Sequence, residues 1–204
     1  MSNKKTFIKF LEEYEKELSE KIKRKGLTIT VSGLSGSGKS TGARAIARAL
    51  NIKYVSAGEI LRQIAKDRKI SLLEIVKTRE PEIDYEMDKI TLNLAMGGNV
   101  VLDGRLTGWV AGDWADVKIF YECSLNTRAK RVSKRDYITS EESKKMLQKR
   151  DEEDQKIYQN LYGINSFDKS IYDIIIDNEN LTENEAKTIS VKKVREFLKT
   201  KSKL

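Results

Sequence analysis

At residues 33–40 the chain reads Gly33-Leu34-Ser35-Gly36-Ser37-Gly38-Lys39-Ser40, after an apolar run at 27–31 and before an alanine-rich segment at 41–50. A strand, a glycine loop and a helix form the context in which the pattern G-x-x-x-x-G-K-[ST] binds phosphate. Glycine lets backbone N–H groups turn toward phosphate oxygens, and the helix adds its positive N-terminal end. Lys39 is expected to contact the outer phosphates, and the Ser40 hydroxyl to ligate Mg²⁺. The stretch therefore predicts a nucleoside triphosphate site.

We assign the triphosphate to the whole loop and to the first residue of the following segment. These residues are Gly33, Leu34, Ser35, Gly36, Ser37, Gly38, Lys39, Ser40 and Thr41.

The composition indicates a soluble globular protein, with 39% hydrophobic and 34% charged residues in a chain of 204. No apolar run approaches the length needed to cross a bilayer, and residues 1–5 do not resemble the start of a signal peptide. The only cysteine, Cys123, excludes an internal disulfide and favours a reducing, cytoplasmic location. The net charge of +8 is compatible with polyanionic partners, and much of the excess lies near the two ends.

The chain contains no histidine. This absence excludes histidine general bases, histidine triads and histidine-ligated metals. Phosphoryl transfer needs none of these, because positioning and charge neutralisation supply most of its catalysis.

Short apolar runs alternate with helical segments after residue 26. The runs at 27–31, 52–56, 100–102, 116–121 and 171–176 predict five strands of a parallel sheet with helices on both faces. We expect a helix at 84–96 and a long charged helical region at 125–160. The loops that follow the strands should meet at one edge, which is where such sheets bind ligands.

Residues 1–26 precede the first strand and predict an added amphipathic helix. Its apolar stripe is formed by Phe7, Phe10, Leu11, Tyr14, Leu18 and Ile22. We expect this stripe to pack on its own domain or on a second copy of the chain, which leaves a monomer and a homodimer open. The glutamates of the same segment oppose binding to an anionic membrane.

Arginines in two regions are candidates for binding phosphate. Arg62 follows Gly58 at the start of a predicted helix, and Arg105 follows the aspartate and glycine that end the third strand. Arginine at such positions suits a bidentate grip on a second phosphate. Arg128 and Arg131 lie on one face of a basic helix in a segment that is either a solvated hairpin or a mobile lid.

Residues 55–62 resemble the segment of adenylate-kinase-like enzymes that holds the acceptor monophosphate. Residues 100–109, 162–164 and 170–173 resemble the archaeal type of cytidylate kinase, and the similarity covers roughly residues 27–180. The resemblance implies an α/β fold of the P-loop nucleoside monophosphate kinase type, with residues 27–204 as the kinase domain. It also implies an insert at about 57–98 that binds the acceptor and a lid at about 132–150.

The resemblance further implies ATP as donor, CMP or dCMP as acceptor and Mg²⁺ as the metal. Catalytic roles would fall to Lys39, Arg105, Arg128, Arg131 and Arg150. Acceptor binding would fall to Gly58, Arg62, Asp84, Asp103, Arg105 and Asp154, with Ser40 and Asp103 at the metal. Asp88, Thr107 and Trp109 are further candidates for lining the acceptor pocket.

The sequence departs from bacterial cytidylate kinases at two places. Leu106 stands where those enzymes have a second aspartate after Asp-Gly-Arg, which leaves the contact to the base unassigned. Ile157 stands where their Arg-Asp-x-x-Asp-x-x-Arg motif has its last arginine, and Lys156 is the candidate replacement.

Other functions stay open at this point. One alternative is a related kinase that acts on AMP or UMP. A second is a basic P-loop ATPase that works with nucleic acid, although the sequence shows no basic stripe interleaved with aromatic residues. A third is a nucleotide-binding protein with little catalysis.

Overall fold

A computed structural model describes residues 13–16, 18, 22–78 and 80–201. The strands are β1 (Thr28–Gly33), β2 (Lys53–Ser56), β3 (Val100–Asp103), β4 (Val117–Glu122) and β5 (Ile174–Asp177). The labelled helices are α1 (Lys39–Leu50), α2 (Ala57–Arg68), α3 (Leu72–Thr78), α4 (Pro81–Gly97), α5 (Thr107–Val110), α6 (Leu125–Asp136), α7 (Ser140–Tyr162) and α8 (Glu183–Lys201). A 3₁₀ turn lies at Gly112–Trp114. Within these ranges, no helix combines the length and apolar character that a bilayer span requires.

The strands form one parallel sheet in the order β2-β3-β1-β4-β5. Val31 of β1 pairs with Asp103 of β3 on one side and with Ile119 of β4 on the other. Because all the strands run in one direction, the segments after β1, β3, β4 and β5 leave from the same edge. The predicted five-stranded parallel sheet is confirmed.

Helices cover both faces of the sheet, as alternate residues of β3 show. Val101 packs in a cluster with Ile46 of α1 and Val194 of α8. Val100 and Leu102 point the other way and pack with Ala95 of α4 and with Ala111. A strand that is buried on both faces needs apolar residues at successive positions, which explains the uninterrupted apolar runs in the sequence.

Three helices, α2 to α4, lie between β2 and β3 and have an apolar cluster of their own. Ser56 caps α2, because its Oγ accepts from the Glu59 amide at 3.1 Å while the Glu59 carboxylate accepts from the Ser56 amide at 2.7 Å. Ile60 and Ile64 of α2 pack with Ile83 of α4. This unit lies beside the β2–β3 side of the sheet and corresponds to the region 57–98.

The described part of the N-terminal segment contacts the rest of the chain. Residues 13–16 and 18 are helical. Asn93 of α4 donates to the Tyr14 hydroxyl at 2.8 Å, and the Trp114 indole donates to Glu15 at 2.9 Å. Three residues of the predicted stripe pack against an apolar cluster of α4, α5 and α7, namely Tyr14, Leu18 and Ile22. The remaining members of the stripe, Phe7, Phe10 and Leu11, lie outside the described residues.

Two predicted boundaries were wrong. The helix expected at 84–96 begins at Pro81, because proline fits the first turn, where its missing N–H is not needed. The strand expected at 171–176 begins only at Ile174, after a turn in which the Tyr172 amide bonds to the Lys169 carbonyl. The region 125–160 is helical as predicted and divides into two helices, because Tyr137 takes a left-handed conformation with φ of 57° and Thr139 caps α7.

Candidate active site

The predicted phosphate loop connects β1 to α1, and its shape depends on glycine. Gly33, Gly36 and Gly38 have φ angles of 147°, 80° and 89°. A Cβ atom at Gly33 would lie 2.6 Å from the Tyr121 carbonyl oxygen, and one at Gly38 would lie 2.2 Å from the Asn178 side-chain nitrogen. Both the backbone angles and the close neighbours therefore require glycine at these positions.

Asn178 holds this loop in place, although the sequence analysis did not assign it to the site. Its Nδ2 donates to the Ser37 carbonyl at 2.7 Å, and the residue is 3% exposed. Its buried Oδ1 has no hydrogen-bond partner among the described residues. Asn178 follows β5 directly, so a polar residue after the last apolar strand was the signal that could have identified it.

Lys39 begins α1 and lies among charged groups. Its Nζ donates to the Leu34 carbonyl at 3.4 Å. Burial lowers the pKa of Lys39 to about 8; Asp103 acts in the opposite direction, while Arg105 and Arg150 contribute to the lowering. A phosphate beside this ammonium group would reverse part of the shift, because a nearby negative charge favours the protonated form.

Asp103 ends β3 and is 3% exposed. Its Oδ2 accepts a hydrogen bond from the Tyr54 hydroxyl at 2.7 Å, whereas its buried Oδ1 has no hydrogen-bond partner within the described chain. In the ranges that the structure covers, no three carboxylate or thiol groups gather into a metal site. Mg²⁺ often uses only one or two protein ligands together with phosphate and water. Asp103 and Ser40 fit that smaller requirement and are the residues that would hold the ion.

A cluster of two arginines and two aspartates lies against the phosphate loop. We call it the Arg-Asp cluster, and its members are Arg105, Arg128, Asp151 and Asp154. Arg105 forms an ion pair with Asp154, lies 3.7 Å from Asp151, and donates to the Ser35 hydroxyl at 2.8 Å. Arg128 lies 2.8 Å from the Asp151 carboxylate and donates to the Ser35 carbonyl at 3.3 Å. The cluster therefore joins the segment after β3, α6 and α7 to the phosphate loop.

The arginines of this cluster are buried but charged. Burial lowers the pKa of Arg105 to about 10, which still leaves the guanidinium protonated near neutral pH. Arg128 is 5% exposed, and its Nε has no hydrogen-bond acceptor among the described residues. A buried cation with an unused N–H is suited to binding an anion, because charge-assisted hydrogen bonds to phosphate are strong.

The other predicted arginines are arranged differently. Arg131 donates to the Asn178 carbonyl at 2.6 Å and to the Leu181 carbonyl at 3.4 Å, next to the phosphate loop. Arg150 is 61% exposed and lies 3.9 Å from Asp154. Arg62 is exposed, and no ion pair or hydrogen bond connects its side chain to the other residues that the structure describes. The structure thus groups Arg105, Arg128 and Arg131 around the loop and leaves Arg62 apart.

Arg62 and Gly58 lie together at the start of α2. A Cβ atom on Gly58 would be 3.5 Å from an Arg62 guanidinium nitrogen, so the arginine folds back over the glycine. Asp84 lies on α4, one turn before Asp88. The Asp88 carboxylate accepts a hydrogen bond from the Tyr162 hydroxyl at 2.6 Å. Burial raises the pKa of Asp88 to about 7; the Tyr162 hydrogen bond acts against this rise, and Asp84 adds to it.

The chain is similar to known cytidylate kinases along most of its length. The model of the cytidylate kinase-like family matches residues 28–180. A cytidylate kinase from Pyrococcus horikoshii is 46% identical over 153 residues, which are 74% of this chain and 79% of that protein. One from Staphylothermus marinus is 39% identical over 175 residues, which are 85% of this chain and 99% of that protein.

Solved structures support the fold alone. A shikimate kinase from Acinetobacter baumannii superposes with a TM-score of 0.59 at 15% identity, covering 92% of this chain and 99% of its own. An uncharacterized protein from Eubacterium ventriosum gives a TM-score of 0.63 at 22% identity, covering 83% of this chain and 98% of its own.

Proposed function

The chain belongs to the cytidylate kinase-like family, and on that basis we propose that it transfers the γ-phosphoryl group of ATP to CMP, giving ADP and CDP. The observation that carries the proposal is the position of Arg105, which contacts Ser35 of the phosphate loop and Asp154 of α7 at the same time. A guanidinium between the phosphate loop and α7 can contact the donor phosphates and the acceptor phosphate together. This position suits a reaction in which the two phosphates meet end to end.

The reaction requires the side chains mainly to position the two substrates and to neutralise negative charge. The attacking atom is a phosphate oxygen of CMP that is already ionised at neutral pH, so no general base is needed. This agrees with a chain that has no histidine. The charge that spreads over the transferring group would be stabilised by the loop amides, by Lys39 and by the guanidinium groups of Arg105 and Arg128.

Mg²⁺, when bound, would neutralise charge on the donor phosphates, with Ser40 and Asp103 as the residues that hold it. Lys39 would bind the outer donor phosphates. Arg131 is already directed by two backbone carbonyls to the side of the loop near Gly38, where it would contact the donor.

The proposal extends to the regions around the cleft. Residues 57–98 would bind CMP, using Gly58, Arg62 and Asp84, while residues 132–150 would close over the phosphates as a lid with Arg150 near its end. Lid closure would exclude water and limit hydrolysis of ATP. Asp154, which pairs with Arg105 in the Arg-Asp cluster, would lie beside the bound acceptor. Lys156 is the proposed substitute for the missing arginine of the family motif.

We place this reaction in pyrimidine nucleotide metabolism in the cytoplasm, where a single cysteine stays reduced. The chain would act as a monomer or as a homodimer through residues 1–26. Solution mass of the full chain, compared with a chain that lacks residues 2–21, distinguishes these two states.

An acceptor panel tests the proposal. ATP and Mg²⁺ are incubated with CMP, dCMP, UMP or AMP in turn, and formation of each diphosphate is followed. We expect the highest kcat/KM with CMP or dCMP. Turnover of AMP or UMP at the same or higher efficiency would replace the cytidylate assignment by another acceptor, and absence of transfer to every acceptor would refute the kinase function.

Two variants test the assigned residues. Lys39→Ala and Arg105→Ala are each expected to lower kcat by roughly 10³-fold or more, because each removes a cation from the transition state. Lys192→Ala removes an exposed lysine of α8 and is the matched control, with activity unchanged. Full activity of Arg105→Ala would contradict its proposed role between donor and acceptor.

A further inference from the structure

A column of polar and aromatic side chains lies between α4 and α7. Asp154, Tyr158 and Tyr162 recur at intervals of four on α7, so they share one face of the helix. The rings of Tyr158 and Tyr162 are stacked with centroids 6.5 Å apart and an interplanar angle of 14°. Across from them, α4 carries Asp84 and Asp88 at the same interval. One end of the column is therefore the Arg-Asp cluster, and the other end is the Asp88–Tyr162 pair.

The Asp88–Tyr162 pair lies in apolar surroundings. Tyr162 is 1% exposed and packs in a cluster with Leu92, Leu106 and Val110. Its hydroxyl donates to Asp88 Oδ2 at 2.6 Å. A carboxylate in such surroundings is costly unless its oxygens are hydrogen-bonded, so a second partner for Asp88 is expected.

The chain supplies no such partner among the described residues. Asp88 Oδ1 accepts no hydrogen bond there, and the residue is partly rather than fully buried. One oxygen of Asp88 is thus fixed by Tyr162, while the other has no partner among the described residues and can accept a hydrogen bond from a ligand.

The spacing along α7 matches the length of a nucleotide. Tyr162 lies eight residues after Asp154, which corresponds to about 12 Å along the helix axis at the usual rise per residue. That distance is of the order of the separation between the phosphate of a nucleoside monophosphate and the far edge of its base. With its phosphate at Arg105, a nucleotide would therefore extend past Tyr158 and place its base near Asp88.

We propose that Asp88, positioned by the Tyr162 hydroxyl, accepts a hydrogen bond from the exocyclic amino group of cytosine and thereby selects CMP over UMP. Above its pKa of about 7 the Asp88 carboxyl group is ionised and only accepts hydrogen bonds, so the selection is measured at pH 8 or higher. Cytosine presents an N–H donor at this edge, whereas uracil presents a carbonyl oxygen that would face the carboxylate without a proton between them. This inference rests on the proposed function and identifies the residue that reads the base.

The test is the ratio of kcat/KM for CMP to that for UMP. Asp88→Asn is expected to lower this ratio about 10- to 100-fold, because the amide of asparagine also donates to the uracil carbonyl. Glu86→Gln makes the same chemical change on the same helix, at a residue that pairs with Arg68, and it should leave the ratio unchanged. Tyr162→Phe keeps the carboxylate but removes its fixed partner, so an intermediate loss of the ratio is expected.

Several outcomes separate this inference from the proposed function. If the unaltered chain transfers phosphate to none of the monophosphates, the proposed function fails. If it phosphorylates CMP, but Asp88→Asn lowers kcat/KM for CMP and UMP equally, Asp88 has only a structural role and this inference alone is refuted. An unaltered chain that treats CMP and UMP alike also overturns it. Should Asp88→Asn fail to fold, the ratio for Tyr162→Phe decides, and an unchanged ratio refutes the assignment.

Discussion

Binding of ATP should be accompanied by proton uptake at Lys39. Burial lowers the pKa of this lysine to about 8, with Arg105 and Arg150 adding to the effect and Asp103 opposing it. A triphosphate beside Lys39 would raise the pKa again toward its ordinary value. With a pKa of about 8 in the free protein, Lys39 lacks its proton in a fraction of about 0.1 at pH 7, about 0.5 at pH 8 and about 0.9 at pH 9.

The uptake per bound nucleotide should follow these fractions. Isothermal titration calorimetry measures it when the same titration is done in pairs of buffers that differ in ionisation enthalpy. A non-hydrolysable ATP analogue with Mg²⁺ and without acceptor isolates the binding step. Working above about pH 7.5 avoids the titration of the terminal phosphate itself, whose pKa is near 6.

Lys39→Arg is the matched control for this measurement. Arginine keeps its proton throughout the range, so the uptake should fall nearly to zero at every pH while a positive charge remains at the site. The reasoning would be refuted if the unaltered chain bound the analogue at pH 9 without taking up protons. The same uptake in Lys39→Arg would show that the protons go to another group.

Three further changes test the contacts around the cleft. Asn178→Ala removes the hydrogen bond to the Ser37 carbonyl and should raise the KM for ATP about tenfold, leaving the KM for CMP unchanged in steady-state kinetics; equal effects on both would contradict a role specific to the loop. Arg105→Met removes the buried cation that pairs with Asp154 and leaves it the exposed Arg150 at 3.9 Å, so it should lower the free energy of unfolding by about 3–5 kcal/mol in urea denaturation, with partial recovery on adding Asp154→Leu; no recovery would contradict the pairing. Leu18→Ala reduces the packing against the apolar cluster of α4, α5 and α7 and should lower the free energy of unfolding by about 1–2 kcal/mol in the same assay. It should also raise the KM for CMP more than that for ATP; unchanged stability would contradict this packing.

The sequence predicted those parts of the fold that depend on local patterns. Alternating apolar runs and helical segments were sufficient for five parallel strands with helices on both faces. The start of α7 depends on a pattern that is equally local, because Thr139 and Glu142 make both capping hydrogen bonds within four residues. The errors arose where several conformations suit the local sequence, as at Ile171 and Tyr172, whose apolar side chains resemble a strand but whose backbone belongs to a turn.

The candidate site was less predictable, because its important contacts join distant parts of the chain. The phosphate loop is contiguous and was evident from its spacing. The hydrogen bond from Asn178 to Ser37 spans 141 positions, and that from Arg105 to Ser35 spans 70. A single sequence can place each residue at the edge of the sheet, since that follows from its position after a strand. It cannot specify which of them pair, because pairing depends on how α6 and α7 pack over that edge.

The balance of charge in the cleft explains how it functions without histidine. Lys39, Arg105 and Arg128 lie near Asp103, Asp151 and Asp154, with Arg131 and Arg150 at the margin of the same cleft. A buried guanidinium without a counter-ion would be strongly unfavourable, so the aspartates keep the arginines oriented before any substrate arrives. The same aspartates weaken the net attraction for ground-state phosphates. In the proposed reaction, stabilisation would then be greatest when charge develops on the transferring group, and binding energy of that kind accelerates a reaction rather than only tightening the complex.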